Sequence, residues 1–227
     1  MDSVHQQSYS NIEYIVIDGG SKDGTVELIR QKSAWVDVFV SEKDQGMYDA
    51  LNKGIALAKG EIIGLLHADD VLASINVVET IVNAFRGDVQ LKAVIGDIEF
   101  EDERGRPKRY CSAKDWRTSD FRRGMMPPHP SFYCLKSCYN LYGGFRLDFE
   151  IAADFELLLR FLKVALIRFQ YLPVLMVRMR LGGKSTKNWR SNYIINQEIQ
   201  RACELNGLKT NYFLIYSKYF RKLKEFF

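Results

Sequence analysis

Apolar residues in the early part of the chain fall in short runs that end on acids, with stretches of helical spacing between them. The run Ile12-Glu13-Tyr14-Ile15-Val16-Ile17 stops at Asp18-Gly19-Gly20-Ser21, and Ile62-Ile63-Gly64-Leu65-Leu66 stops at His67-Ala68-Asp69-Asp70. Runs rich in β-branched residues predict strands over 12–18, 36–40, 61–66, 94–98, 166–171 and 174–180. Apolar positions at the spacing of helix turns predict helices over 25–32, 47–58, 75–85, 153–163, 192–206 and 212–227. Strands alternating with helices predict an α/β fold on a central, mostly parallel sheet flanked by helices. Runs that are apolar nearly throughout belong to strands covered on both faces. After Glu101 the alternation weakens: residues 101–109 read as a charged loop or hairpin, and residues 125–130 hold three of the five prolines.

A chain of 227 residues suits one domain with a full core, and no internal repeat or low-complexity linker divides it. We expect a main domain over 1–208, in two parts over 1–100 and 101–208, followed by a basic, aromatic helix in 209–227. Hydrophobic content of 47% with 26% charged residues is that of a globular protein. No apolar run approaches the roughly 18 residues of a membrane span, and no signal peptide is expected at the start. Cys111, Cys134, Cys138 and Cys203 form no CxxC pair and no zinc spacing, which points to reduced, buried thiols and a cytoplasmic setting. The net charge of +4 is mild and gives no sign of nucleic-acid binding.

An acid at a strand end, followed by glycines and a helix start, is where α/β proteins hold nucleotides. The Asp18 carboxylate can accept from a base N–H or a ribose hydroxyl there, with Gly19 and Gly20 admitting the backbone closely. Equally, Ser21 or Asp23 can cap the helix that begins at Thr25. The spacing is not GxGxxG, which disfavours a dinucleotide-binding dehydrogenase. The adjacent Asp69 and Asp70 repel each other unless a cation or basic group compensates. A hard divalent ion, Mg²⁺ or Mn²⁺, held by one or two carboxylates and completed by substrate phosphates, fits that pair; capping of the following helix is the plainer alternative. His67 is a candidate third ligand or a packing residue. In the polar segment 41–54, Asp49 and Asn52 share one helix face, with Lys53 one turn from Asp49.

The order IEYIVIDGGSKDGT, then SEKDQGMYDALNKGIALAKGEIIGLLHADD, resembles a family 2 glycosyltransferase of the GT-A fold, over residues 3–163. The resemblance implies a nucleotide-sugar donor, usually a UDP-sugar, and inversion at the anomeric carbon by metal-assisted direct displacement. It further implies a saccharide or lipid-linked acceptor in bacterial cell-surface polysaccharide synthesis. Carried over by position, Asp18, Gly19 and Ser21 resemble the segment that meets the nucleobase. Asp49 and Lys53 join the donor side, as does Asp69, near the ribose or sugar. Asp70 resembles the direct metal ligand of the family's DXD-type motif. Asp154, opening a helix, matches the catalytic base that direct displacement needs; an acid favoured by the helix N-terminus is the alternative. His129, between prolines, is a candidate for the acceptor pocket or a rigid loop residue. Arg180 and Lys184, around the glycine turn Gly182-Gly183, are candidates to grip the diphosphate, with a solvated hairpin as the other reading.

Two expectations concern the ends. The family's usual first strand, with its Pro-Thr-Tyr-Asn-like segment, is not found before residue 12, so the expected fold is a GT-A domain clipped at its N-terminus. In residues 212–227, aromatic and basic residues recur at helical spacing; this suits peripheral contact with the inner face of a membrane, or packing on the domain or on a second copy in a homodimer. Two rival functions remain open at this level: a nucleotidyltransferase, and a non-catalytic nucleotide-sugar-binding fragment.

Overall fold

The computed structural model describes residues 1–181 and 189–223. In chain order they form α1 (Asp2–His5), β1 (Ile15–Asp18), α2 (Thr25–Gln31), β2 (Val38–Ser41), α3 (Met47–Leu57), β3 (Ile62–Gly64), β4 (Val71–Leu72) and α4 (Val77–Gly87). There follow β5 (Ala93–Glu101), β6 (Pro107–Cys111), β7 (Tyr133–Leu135), α5 (Lys136–Tyr142), α6 (Ala153–Leu159), β8 (Phe169–Arg180), α7 (Trp189–Leu205) and α8 (Tyr212–Leu223). All six expected helices are present within a turn of their expected bounds, apart from residues 224–227, which lie outside the described residues.

Among the described residues the strands form two sheets. β1 and β2 run parallel, with Asp18 level with Ser41. The other sheet has the order β3-β7-β5-β8-β4, with β6 also paired to β5. Only β5 and β8 are parallel in it; the pairs β3/β7, β4/β8, β5/β6 and β5/β7 are antiparallel. The mostly parallel sheet expected from the alternation is therefore corrected to a mixed one. Parallel neighbours need a long crossover, whereas the chain after β5 turns straight back, with Asp102 N–H donating to Arg106 O at 3.0 Å. The charged segment 101–109 is thus a hairpin. Among the described residues β1 pairs only with β2 and β3 only with β7.

The strands expected over 166–171 and 174–180 are one strand, β8. Ile95 pairs with Tyr171 but Asp97 with Leu175, so two steps on β5 match four on β8. The extra residues bulge around Pro173, which has no N–H to give to the ladder. β5 is the central strand and is covered on both faces. Ala93 and Ile95 enter the core made with α3, α5, α6, α7 and α8, while Val94 and Ile98 enter the core made with α4 and β8. Gly96 lies against Met176: a Cβ there would sit 2.6 Å from its methyl carbon. Likewise a Cβ on Gly64 would fall 2.0 Å from the ring of Tyr133, its partner across β3 and β7. That close approach fixes the end of β3, from which Leu65 and Leu66 lead into His67-Ala68-Asp69-Asp70.

Candidate active site

Asp18 sits at a strand end, where the parallel pair of β1 and β2 delivers its carboxyl ends to one edge. Asp18, 6% exposed, closes β1. Its Oδ2 accepts from the N–H groups of Gly20 and Ser21, both at 3.0 Å, and from the Ser41 hydroxyl at 2.7 Å. Oδ1 takes none of these three. Burial works against the charge, but these donors outweigh it, and the carboxyl lies below its ordinary range. The Ser21 and Gly20 bonds close a tight turn on Asp18, and of the two capping candidates it is Asp23 whose Oδ1 accepts the Thr25 N–H, at 3.2 Å, where α2 begins.

Asp44, which drew no attention in the sequence, lies against the same turn: a Cβ on Gly19 would come within 2.5 Å of its Oδ2. The signal available was its position two residues before Gly46, whose N–H donates to Asp44 Oδ1 at 2.9 Å. Asp49 and Lys53 share one face of α3, as expected. Lys53 Nζ stands 2.8 Å from Glu42 and 3.4 Å from Asp49, and Asp49 accepts the Gln45 N–H at 3.1 Å. These contacts tie α3 to the loop that leaves β2.

The acid pair splits in character. Asp69 is exposed, while Asp70 is 6% exposed and its N–H donates to His67 O at 3.1 Å. Burial first, and the Asp69 charge second, push the Asp70 carboxyl up to about 6. Its Oδ2 is buried with no hydrogen-bond partner. An orphaned buried carboxylate oxygen beside a second carboxylate fits a divalent cation. Among the described residues no group of three or more His, Cys, Asp or Glu could enclose an ion, so a cation at Asp70 would need ligands from elsewhere, as substrate phosphates provide.

Asp154, in the first turn of α6, meets this region through two histidines. Its Oδ1 accepts the Phe155 N–H at 2.7 Å, and its Oδ2 lies 3.2 Å from His129 Nδ1. The His129 ring in turn meets His67 edge-on, with centroids 5.6 Å apart. Burial raises Asp154 to about 6, opposed by the Phe155 N–H and His67 and supported by Glu198. Burial lowers His67 and His129 to about 4 each. His129 nevertheless keeps 34% of its side-chain surface open to solvent, which leaves the group beside Asp154 approachable. The sequence offers His129 and Asp154 as separate candidates and His67 as a ligand or packing residue; the fold joins the three. Nothing in the sequence singles out Tyr48. Its ring stacks on Phe145 at 5.5 Å and its hydroxyl donates to Ile151 O, so α3 braces the segment leading into Asp154.

Arg180 ends β8. β4 begins one residue after Asp70 and pairs Val71 with Arg178, so Arg180 lies beyond that pair on the side of the acids. Arg178 itself is engaged by Glu101 at 3.2 Å and Glu99 at 3.5 Å. Lys184 lies outside the described residues.

A turn on the strand-end Asp18, an adjacent acid pair of which only Asp70 is buried, and the separate acid Asp154 beside two histidines are the groups the fold brings to this region. The sequence profile of Glycosyl transferase family 2 matches residues 1–142, and the chain belongs to that family. It is 34% identical over 173 residues to the uncharacterized glycosyltransferase Rv1514c of Mycobacterium tuberculosis, covering 70% of this chain and 60% of that protein. It is 25% identical over 211 residues to a PGL/p-HBAD biosynthesis glycosyltransferase of Mycobacterium bovis, covering 91% and 78%. The chain thus spans about 60% of the length of the first of these relatives. In fold it resembles Staphylococcus aureus TarS 1–349 in complex with UDP-GlcNAc, with TM-score 0.65 and 15% identity over 88% of this chain and 60% of that one. It also resembles the Pyrobaculum calidifontis mannosyltransferase PcManGT in complex with GDP-Man and Mn²⁺, with TM-score 0.62 and 20% identity over 88% and 59%. These likenesses establish the GT-A fold, and family membership removes the nucleotidyltransferase alternative.

Proposed function

We propose that the chain carries the donor site and the base of an inverting glycosyltransferase that moves a sugar from a UDP-sugar to a saccharide or lipid-linked acceptor in cell-surface polysaccharide synthesis. The observation that carries this reading is the pairing of a buried, unpartnered Asp70 oxygen with a second acid, Asp154, of raised pKa reached through His67 and His129. Neighbours of the same fold bound to UDP-GlcNAc, or to GDP-Man and Mn²⁺, support a nucleotide-sugar donor and a divalent cation.

In this reading Asp18 receives the nucleobase, with Gly19 and Ser21 shaping the turn. Asp49 and Lys53 hold the loop over the donor, and Asp69 faces the ribose or sugar. Asp70 holds the cation, Mg²⁺ or Mn²⁺, which when bound supplies charge against the departing diphosphate. Arg180 and Lys184 add cationic contacts to the same diphosphate. Asp154 Oδ2 takes the proton of the acceptor hydroxyl as that oxygen attacks the anomeric carbon. His129, neutral, stands with its Nδ1 3.2 Å from Oδ2 and steers the carboxylate. Burial moves His129 down and Asp154 up, so both shifts favour a proton on the carboxyl over one on the imidazole. A base poised near neutrality is what proton abstraction at cellular pH requires.

The test is calorimetric titration of UDP and GDP with and without Mn²⁺, beside nucleotide release from UDP-glucose, UDP-galactose, UDP-GlcNAc and GDP-mannose. UDP binding that tightens at least about tenfold with Mn²⁺, together with release from one UDP-sugar, is expected. Mn²⁺-dependent binding without release from any donor favours the non-catalytic reading, and no nucleotide binding at all sinks the donor assignment.

We further propose that α8 makes a peripheral contact with the inner, cytoplasmic face of a membrane. Its inner side is packed on its own chain: Ile215 is buried against Gly124, and Lys218 Nζ donates to Asn196 at 2.7 Å. Its outer side presents Tyr212, Phe213 and Tyr216, with Phe213 85% exposed. Arg122 and Lys209, both exposed, meet beside the start of the helix, where Arg122 Nε donates to Lys209 O at 3.0 Å. Packing and membrane contact therefore use different faces. Tyr212→Ser with Phe213→Ser is expected to weaken binding to phosphatidylglycerol vesicles about tenfold or more with an unchanged melting temperature. Undiminished vesicle binding would remove this face of α8 from the contact.

A further inference from the structure

The segment 143–152, between α5 and α6, has no regular structure, yet it delivers Asp154. It is held from two sides. From α3, Asn52 clasps Phe145, donating to its carbonyl and accepting its N–H, both at 2.8 Å, and Tyr48 holds Ile151 O. From α7, Arg201 donates to Asp148 O at 2.9 Å. One turn earlier on α7, Glu198 turns its carboxylate onto three consecutive backbone N–H groups. Oε1 accepts from Glu150 at 2.6 Å, and Oε2 accepts from Ile151 at 2.9 Å and Ala152 at 2.8 Å.

Three successive N–H groups facing one anion form a nest, and here the anion is a side chain of the same protein. Ala152 is the residue from which α6 departs, since its carbonyl accepts the Glu156 N–H at 3.1 Å. Whatever fixes residues 150–152 therefore fixes the direction in which Asp154 leaves α6 and its approach to His129.

We propose that Glu198 is a positioning residue for Asp154, acting through the backbone of residues 150–152. It rests on the reading of Asp154 as base. Proton abstraction tolerates little displacement: a shift of about 1 Å in a reacting group can cost on the order of a hundredfold in rate. A glutamine can still accept one or two of the three N–H groups but turns an N–H₂ toward the rest; an alanine accepts none. Neither change touches Asp18, Asp69 or Asp70.

The experiment uses the whole chain with the UDP-sugar that gives the fastest UDP release. Glu198→Gln is expected to lower kcat about tenfold and Glu198→Ala about a hundredfold, while affinity for UDP with Mn²⁺ stays within about twofold. In an Asp154→Asn background, Glu198→Gln is expected to cost nothing further, because residues that act as one unit do not add. An equal fractional loss in both backgrounds, or a parallel loss of UDP affinity, overturns the proposal in favour of a general structural role. Should Glu198→Ala fail to fold, the Gln variant and its cycle decide alone. A full-rate Glu198→Gln beside a slow Asp154→Asn overturns this inference only, whereas a full-rate Asp154→Asn overturns the base assignment and the inference with it.

Discussion

Asp154→Asn is expected to slow turnover by about a hundredfold or more, the usual scale for a lost general base, and at the same time to raise the melting temperature at pH 7. The two effects share one cause. Burial raises the Asp154 carboxyl to about 6, whereas in the unfolded chain it titrates near ~3.9. Between those values the folded state binds the proton more tightly than the unfolded state, so stability is lost as pH rises from about 4 to about 6. Above pH 6 the folded protein carries a charge it would bind less unfavourably if unfolded; two units correspond to about 3 kcal/mol at most. Asn removes that charge. The variant should therefore gain a few degrees at pH 7 and nothing at pH 4. The rate of the parent should climb through pH 6 as the carboxylate forms, and this limb should vanish in the variant. A drop in melting temperature at pH 7, or a collapse of UDP affinity, would place Asp154 in the donor site or the core instead.

Asp70→Asn is expected to abolish metal-dependent turnover and to uncouple stability from Mn²⁺. Asp70 Oδ2 is buried without a partner, and the carboxyl is raised to about 6 by burial and by Asp69. The sign follows that of Asp154: without metal, stability falls as pH rises from about 4 to about 6, so the Asn variant should melt higher than the metal-free parent at pH 7. A cation bound only by the folded state reverses this, adding about 2.7 kcal/mol at a hundred times its Kd. Titrating Mn²⁺ while following thermal unfolding should thus lift the parent by several degrees and leave the variant where it was. An equal Mn²⁺ shift in both proteins would remove Asp70 from the metal site, whatever happens to the rate. Both predictions describe acids kept in place at a cost in stability, as buried carboxylates of functional sites generally are.

What the chain determined by itself is what depends on near neighbours. The runs before Asp18 and before Asp69-Asp70 mark β1 and β3, although the structure leaves most of their apolar residues half-buried where cover on both faces was expected, with Ile63 alone among those of the two strands fully buried; the acids follow because a strand must end where backbone and side chains can meet solvent or ligand. Helical spacing located α2, α3, α4, α6, α7 and α8, since each needs one apolar stripe. The short strands β4 and β7 have no such signal, because two or three residues contain too little alternation to distinguish a strand from a loop.

The tertiary structure decided the rest. Pairing partners are chosen by packing across the chain, so the mixed order of the larger sheet, and the fusion of β8 across Pro173, could not be read from local pattern. The same holds for the chemistry. His67, His129 and Asp154 come from three separate segments, and their residue types alone gave each an ordinary alternative reading. Only their convergence gives Asp154 its burial, its raised pKa and a neutral imidazole at 3.2 Å. Glu198 is further removed still: its carboxylate reaches N–H groups up to 48 residues upstream. On an amphipathic helix a glutamate that faces solvent and one that holds a backbone nest have the same sequence signature, because the periodicity records which face is apolar and nothing about what the polar face meets.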